Sequence, residues 1–390
     1  MQPLNGIKVL DFSQFLSGPF CTLLLGDMGA EIIKVEPPIG ELLRLYTMMT
    51  KDATHMLNLI NRNKKAITVN LRTPKGIELM KELIKYVDVV VENFPPGMMD
   101  KLGLGYETVR SINPRLIYAS ISGFGKTGPL KDELAFDMIA QASSGTMAAL
   151  EKEDEPPKVF IGDLTSGVFT AFGVSLALYQ REITGEGQSI DTSLLDVLYG
   201  LNIIAQGGMM ATEEQKSRFR NENLRLTLYN IFKAKDGNVA IVAITDKEWI
   251  RLLKVMGRLD LKINRKYKNI INRVKNCDEV EKIVQNWVEN KNSQEIIELL
   301  REARIPCAKV AQFDDLIDDP QLKARKMIQE IDSSKYGKLI LPGPIIKMSG
   351  AEEKLPNPFP ELGEQNEEIY INLLGYTIED ITEWKKNGII

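Results

Sequence analysis

"GIKVLDFSQFLSGPFCTLLLGDMGAEIIKVE", residues 6–36, decides the fold class. Residues 7–12 are a short apolar run bounded by turn residues, and they read as a strand. Ser17 suits a helix cap, Pro19 a first helical turn and Gly29 a C-terminal stop, so a helix fills the middle. "EIIKVE" closes the unit as a second strand. The alternation continues downstream with "AITVNL", a helix over "PKGIELMKELIKYV", and then "DVVVEN" and "LIYASIS". Strands alternating with helices predict an α/β fold with a parallel, doubly wound sheet.

A different pattern begins near residue 225. "LTLYNIFKAKDGNVAIVAIT" reads as two strands joined by a turn at Asp236-Gly237. Three amphipathic helices follow, over "DKEWIRLLKVMGR", "DEVEKIVQNWVEN" and "SQEIIELLREAR", and then a short strand at "IPCAKV". The tail "GKLILPGPIIKMSG" reads as paired strands. A helix closes the chain.

Composition narrows the function. A chain of 390 residues exceeds one ordinary core and predicts two domains. The formal charge is −4 with no long basic or acidic block, which argues against nucleic acid as a partner. The N-terminus lacks a signal-peptide pattern, and no stretch approaches 18 apolar residues, so no membrane partner is expected. Cys21, Cys277 and Cys307 are odd in number and far apart, which fits a reduced, cytoplasmic setting. His55 is the single histidine. A multi-histidine metal site is therefore impossible, no metal is expected, and any histidine triad would have to use this residue. No motif surrounds it, so it reads as a surface or interface residue.

The opening turn "DFSQFLSGP", residues 11–19, lacks the G-x-G-x-x-G that brings a backbone close to a pyrophosphate. A dinucleotide oxidoreductase, with Glu36 on a ribose hydroxyl, is disfavoured on that ground. No phosphate-binding P-loop motif is present either. The remaining chemical signal is Asp163 in "KVFIGDLTSGVFTAFG", residues 158–173, a lone acid among small and apolar residues. It reads as a helix cap, a reactive carboxylate, or both, because a helix N-terminus favours negative charge.

Several stretches, in this order, resemble the class III CoA-transferase family, which also contains α-methylacyl-CoA racemases. They are residues 4–38, "NRNKKAITVNLRTPKG" (61–76), "VDVVVENFPPGMMDKLGLGYE" (87–107), "NPRLIYASISGFGKTGP" (113–129), "FDMIAQASSG" (136–145), residues 162–196 and "LPGPIIK" (341–347). "LYNIFKAKDG", "RIPCAKV" and "ELGEQNEEI" fit the family's small domain and C-terminal return. The resemblance implies a large Rossmann-like domain with a parallel sheet built from both chain ends, a small α+β middle domain, and an interlocked homodimer. Residues 1–205 and 340–390 would form the large domain, 225–325 the small one, and 206–224 and 326–339 the linkers.

By the same resemblance Asp163 is the nucleophile. A carboxylate is already deprotonated at neutral pH and needs no base, which accounts for the missing histidine. It would attack an acyl-CoA thioester, giving an aspartyl anhydride and then an aspartyl-CoA thioester, in a site that excludes water. Thr165, Ser166 and Gly167 would let backbone amides approach the oxyanion. Asp137 matches a carboxylate beside the nucleophile and would raise one of the two pKa values; a helix N-cap is its ordinary alternative. CoA is implied as substrate, with no tightly bound cofactor, and small carboxylic acids as the other partners. Asn93, Phe94, Lys101 and Arg72 would meet its nucleotide and pantetheine, and Ser122, Gly123 and Phe124 its pantetheine arm. Arg44 is a further candidate for a carboxylate or phosphate.

The racemase branch needs a proton carrier where this chain has Phe136, which transfers none. It also carries a glutamate in the small domain where Thr245 stands. Leu16 and Pro37 replace a glutamine and an arginine found in formyl-CoA transferases, and "AKDGNVAIVAITD" lacks their glycine-rich lid. The resemblance thus favours CoA transfer over racemisation, with a non-catalytic CoA binder as the remaining alternative.

Overall fold

Six parallel strands carry the computed structural model: β1 (Lys8–Asp11), β2 (Glu31–Glu36), β3 (Lys65–Thr68), β4 (Val89–Glu92), β5 (Ile117–Ser122) and β6 (Ser189–Ser193), in the order 3-2-1-4-5-6. Residues 1–49, 51–150, 154–209, 227–333, 336–352 and 355–390 are described. They form two units, residues 1–205 with 320–390 and residues 206–319.

The central strands carry consecutive apolar residues, Val9 and Leu10 in β1 and Val89, Val90 and Val91 in β4, because both faces are covered. Val9, Ile32, Val89, Val91, Ile117, Ala119 and Ile121 point to one core, which includes Cys21 and Leu25 of the first helix (Ser17–Asp27) and Val174 of the long helix (Ile161–Thr184). Their neighbours Leu10, Ile33, Val90 and Tyr118 point to the other, under the helix Pro74–Ile84. β6, from "SIDTS", went unread in the sequence because an edge strand with exposed polar residues lacks that apolar run.

The sheet differs from the expectation that both chain ends build it. All six strands lie between residues 8 and 193. The C-terminal segment instead seals the edge. Gln365 Oε1 accepts from the Ala66 N–H at 2.8 Å, and Asn366 Oδ1 accepts from the Thr68 N–H at 2.8 Å, so side-chain amides satisfy β3 where another strand would pair. Tyr370 and Trp384 then pack into the core on the Leu10 side.

Residues 326–339, expected as a linker, contain β10 (Gln329–Ser333), which pairs antiparallel with β11 (Gly337–Leu341). The partner of "GKLIL" thus lies upstream, because Pro342 and Pro344 cannot continue a ladder. The other expected linker, 206–224, falls largely outside the described residues. In the second unit β7 (Tyr229–Ala234), β8 (Gly237–Val242) and β9 (Cys307–Lys309) form an antiparallel sheet. Helices Asp246–Val255, Cys277–Val288 and Ser293–Glu302 pack on it through Trp249, Val284 and Ile296.

By length and composition the helix Ile161–Thr184 could cross a membrane, contrary to the reading of the sequence, because its many small residues count as neither charged nor strongly polar. Here its Ser166–Thr170–Val174 face is buried in the first unit, and buried Arg181 pairs with Asp88 at 2.9 Å.

Candidate active site

β1 and β4 are neighbours in the sheet but the chain leaves them toward opposite ends of the strand order, so the switch point of the sheet lies beyond their C-terminal ends. The loop from Phe12 to Leu16 occupies it. Buried charges fasten this loop nearly peptide by peptide. Asp11, at the end of β1, accepts from the Ser13 N–H at 2.9 Å, from the Thr22 hydroxyl at 2.6 Å and from Lys64 Nζ at 3.0 Å. Lys64 also donates to the Pro19 carbonyl at 3.0 Å. Lys34 Nζ donates to the Ser13 carbonyl at 2.7 Å and pairs with Glu41 at 3.6 Å; Glu41 accepts from the Phe15 N–H at 3.3 Å.

Burial works against the Asp11 charge, yet Lys64, Lys34 and the two hydroxyls outweigh it and hold the carboxyl at about 2. The same burial brings Lys64 down to about 8 despite Asp11. Removing one partner of such a pair leaves an uncompensated charge, so the network is costly to break.

Asn93, just past β4, clamps the loop from the other side. Its Oδ1 accepts from the Gln14 N–H at 2.8 Å, and its Nδ2 donates to the Gln14 carbonyl at 2.9 Å and to Ser17 Oγ at 3.1 Å.

Asp163 lies in the first turn of the long helix, half-buried. Its N–H donates to Asp137 Oδ1 at 3.0 Å. Asp137 therefore satisfies an orphan donor of a helix other than its own. It is buried, stands first in the helix Asp137–Ser143, and accepts from Gln141 Nε2 on its second oxygen. Two glycines permit this approach. A Cβ on Gly162 would lie 2.9 Å from Asp137 Oδ1, and one on Gly167 would lie 2.7 Å from the Ser17 carbonyl. The long helix can thus reach the first helix at Ser17.

Burial, followed by the Asp137 charge, pushes Asp163 up to about 7, while Ser17 works in the opposite direction. The result is a carboxylate more basic than usual that still ionises near neutrality.

Several expectations change. The helix begins at Ile161, ahead of Asp163, and Leu164 N–H already bonds the Phe160 carbonyl. The amides of Thr165, Ser166 and Gly167 are therefore inside the helical ladder and cannot hold an oxyanion. Gly167 serves helix packing instead. Arg44 is buried against Glu36, with contacts of 2.8 and 2.7 Å, and its guanidinium lies 4.5 Å over the Phe359 ring. It is unavailable to a ligand, and Glu36 holds Arg44 in place of a ribose. Thr245 caps the helix Asp246–Val255 through a capping box with Glu248. Phe136 is 76% exposed and meets Phe15 edge-on, with ring centroids 6.4 Å apart. His55 is exposed on the helix Lys51–Asn61.

A cavity of about 350 Å³ lies beyond β4 and β5, lined by Phe94, Pro96, Tyr118, Ser122, Lys126 and Lys131 among others. Buried Tyr118 has no hydrogen-bond partner for its hydroxyl among the described residues, and Lys126 Nζ sits 5.1 Å over its ring. Phe94 and Ser122 of the expected CoA residues meet here. Gly123 and Phe124 are next in the chain but outside the lining; a Cβ on Gly123 would lie 2.3 Å from the Ala135 Cβ. Arg72 and Lys101 are exposed and also outside it.

Gln141 and Ser17 escaped the sequence reading as site residues. Gln141 stood four residues after Asp137, a helical pair visible in "DMIAQ". Nothing local marked the Ser17 hydroxyl as more than a cap.

The sequence matches the model of CoA-transferase family III over residues 4–366. It is 36% identical over 385 residues to a succinyl-CoA:mesaconate CoA-transferase of Haloarcula marismortui, covering 95% of this chain and 96% of the relative. It is 33% identical over 397 residues to the succinyl-CoA:glutarate CoA-transferase of Homo sapiens, covering 100% and 90%. A CAIB/BAIF family protein from Brucella suis superposes with a TM-score of 0.81 at 30% identity, over 95% of this chain and 99% of that one.

Proposed function

This chain belongs to CoA-transferase family III and moves CoA between an acyl-CoA and a carboxylic acid, and on that premise we propose that Asp163 carries the acyl and CoA groups covalently. One observation carries the reading. Asp163 is half-buried in the first turn of the long helix, its N–H held by Asp137 Oδ1 at 3.0 Å, and burial with the Asp137 charge raises its carboxyl to about 7. A weakly nucleophilic group gains basicity there while a large share of it remains ionised at neutral pH.

Asp163 attacks the thioester carbonyl, forms a mixed anhydride and expels CoA thiolate. The thiolate attacks the Asp163 carbonyl carbon and releases the donor acid, leaving an aspartyl-CoA thioester. The acceptor carboxylate attacks that thioester, giving a second anhydride and free thiolate. The thiolate then takes the acceptor's acyl group and returns Asp163 as a carboxylate. Atoms and charge balance with no outside proton donor, which fits a site whose nearest acids are two aspartates.

Phe94 and Ser122 would line the path of CoA in the 350 Å³ cavity. Lys126 and Lys131 stand there as the cations for its phosphates, in place of Arg72 and Lys101. The names of the relatives favour succinyl-CoA as donor and a second small dicarboxylic acid as acceptor.

The long helix shows solvent a stripe of Val168, Phe172, Leu176, Tyr179 and Ile183, spaced three or four residues apart and 46–71% exposed. A stripe of this kind needs a cover. The expected second copy of this chain would supply it, in a cytoplasmic homodimer; Cys21, Cys277 and Cys307, none of them in a disulfide, fit that compartment.

The test is transfer in D₂O from succinyl-CoA to a panel of dicarboxylic acids, read by mass spectrometry. New CoA esters without deuterium are expected, and none from Asp163→Ala. Full turnover by that variant would refute the covalent role. A one-dalton gain on an unchanged 2-methylacyl-CoA would establish racemisation.

A further inference from the structure

We propose that Tyr118 is a CoA-binding residue whose hydroxyl donates to an amide carbonyl of the pantetheine arm. The inference rests on the reading that CoA enters the cavity beyond β4 and β5, and it says which part of CoA lies deepest there.

A buried hydroxyl without a partner is unfavourable, so such groups are few in a folded chain. Tyr118 is 1% exposed, lines the cavity, and its Oη has no hydrogen-bond partner among the described residues. Its neighbours show why. Lys126 Nζ lies over the ring, 5.1 Å from its centroid, and the Tyr106 ring is tilted against it at 6.1 Å. Both contacts are made with the ring and leave the hydroxyl unbonded. Glu92 also lines the cavity, but its two oxygens serve the Ser120 hydroxyl and the Phe94 N–H, the latter at 2.9 Å. Burial, followed by the Glu92 and Asp100 charges, holds the Tyr118 hydroxyl above the usual tyrosine range. It therefore keeps its proton, and remains a donor, at any working pH.

Charge limits what can accept from it. Glu92 and Asp100 stand at the same cavity and act on this hydroxyl, so a phosphate beside it would be repelled. Lys126 and Lys131 are exposed at the cavity wall and can meet the phosphates of CoA nearer solvent. The buried hydroxyl is left for a neutral acceptor. The pantetheine arm is neutral and carries amides, whose carbonyls suit Tyr118 and whose N–H groups suit the two carboxylates. A volume of about 350 Å³ stands near the low end of ligand sites, which run from about 300 to 1,000 Å³, and suits one arm of CoA better than the whole molecule.

The wall of the cavity is built to stay in place. Asp191 accepts from the Lys126 N–H at 2.9 Å, and Ser122 Oγ accepts from the Gly125 N–H at 3.0 Å. Gly125 has a φ of 83°, a conformation that a side chain would strain. These bonds fix the backbone from which Lys126 reaches the Tyr118 ring. A donor held so firmly loses little freedom when it binds, which favours affinity.

The experiment is calorimetric titration of the full-length protein with CoA and with its adenosine bisphosphate fragment, which lacks the pantetheine arm. Tyr118→Phe should weaken CoA about fivefold, the loss of one neutral hydrogen bond, and leave the fragment unchanged. Lys126→Ala combined with Lys131→Ala should weaken both ligands. Urea unfolding of the free protein supplies a second readout. Tyr118→Phe removes a hydroxyl without a partner, so the variant should be at least as stable as wild type. A less stable variant, or one that does not fold, would show a structural role for the hydroxyl and overturn the proposal. So would unchanged CoA affinity in Tyr118→Phe, or equal weakening of CoA and the fragment. The lysine variant separates the two levels of the argument. If it binds CoA as wild type does, CoA does not occupy this cavity and the underlying reading fails. If it binds CoA weakly while Tyr118→Phe binds normally, only the assignment of Tyr118 fails.

Discussion

Asp137→Asn should make Asp163 more acidic. The carboxyl of Asp163 rises from 3.8 to about 7, with burial the larger cause and the Asp137 charge the smaller. Like charges about 5 Å apart repel by under 1 kcal/mol in water and by about 3 kcal/mol at an effective dielectric of 20. Asp163 is half-buried, so its case lies between these limits. Burial also contributes more to the rise than the Asp137 charge does. Both constraints point to about 1.4 kcal/mol, or about one pH unit. The substitution keeps an oxygen for the Asp163 N–H at 3.0 Å, and Gln141 can rotate its amide to face the new side chain. The geometry therefore survives while the charge is lost. The assay is kcat/KM for the acyl-CoA donor from pH 4.5 to 9, which reports the free enzyme. The acid limb should fall from about 7 to about 6, with a lower plateau because the nucleophile is less basic. A limb that stays in place or rises would show that Asp137 is protonated in the working enzyme or that its charge does not reach Asp163, and the reasoning would fail.

Asp163→Asn should stabilise the fold at pH 8 by about 1–3 kcal/mol while ending turnover, since a group with a raised pKa binds protons more tightly when folded and so loses stability as pH rises from about 4 to 7. Urea unfolding at pH 5 and pH 8 checks this, and the gain should be clearly smaller at the lower pH. Gly167→Val places a side chain where a Cβ already lies 2.7 Å from the Ser17 carbonyl; it should lose about 1–3 kcal/mol in the same assay and more activity than that loss explains. His55→Ala should leave transfer within about twofold, because the imidazole is exposed on a helix apart from the loop; steady-state rates settle it. Phe172→Asp with Leu176→Asp should split the proposed homodimer, lowering the mass in sedimentation by about half, as charge at the centre of an apolar interface is strongly unfavourable.

The βαβ order was legible because buried strands centre on consecutive apolar residues, as in "KVLD" and "VVVE", and helices announce their ends with Pro and Gly. β6 was not, because an edge strand half in solvent reads as turn. The C-terminal segment was read as part of the sheet, but Gln365 and Asn366 close its edge with side-chain amides, which leave no period-2 pattern. Asp163 and Asp137 were visible as acids out of place in small, apolar stretches. Their relation was not: which acid caps which helix depends on where the long helix starts.

The sequence by itself determined the family, the alternation of strands and helices, and the exclusion of histidine chemistry, since a single histidine bounds what any fold could do. Only the tertiary structure decided what the acids and cations face. Arg44 looked available for a ligand and is consumed by Glu36. Asn93 looked like a ligand contact and has both amide hydrogens in the loop. Ser17 looked like a cap and accepts from Asn93, with Gly167 of the long helix packed against its carbonyl. Hydrogen-bond direction and burial are relations between segments distant in sequence. A pKa near 7 on an aspartate exists only once such segments have met and excluded water around it.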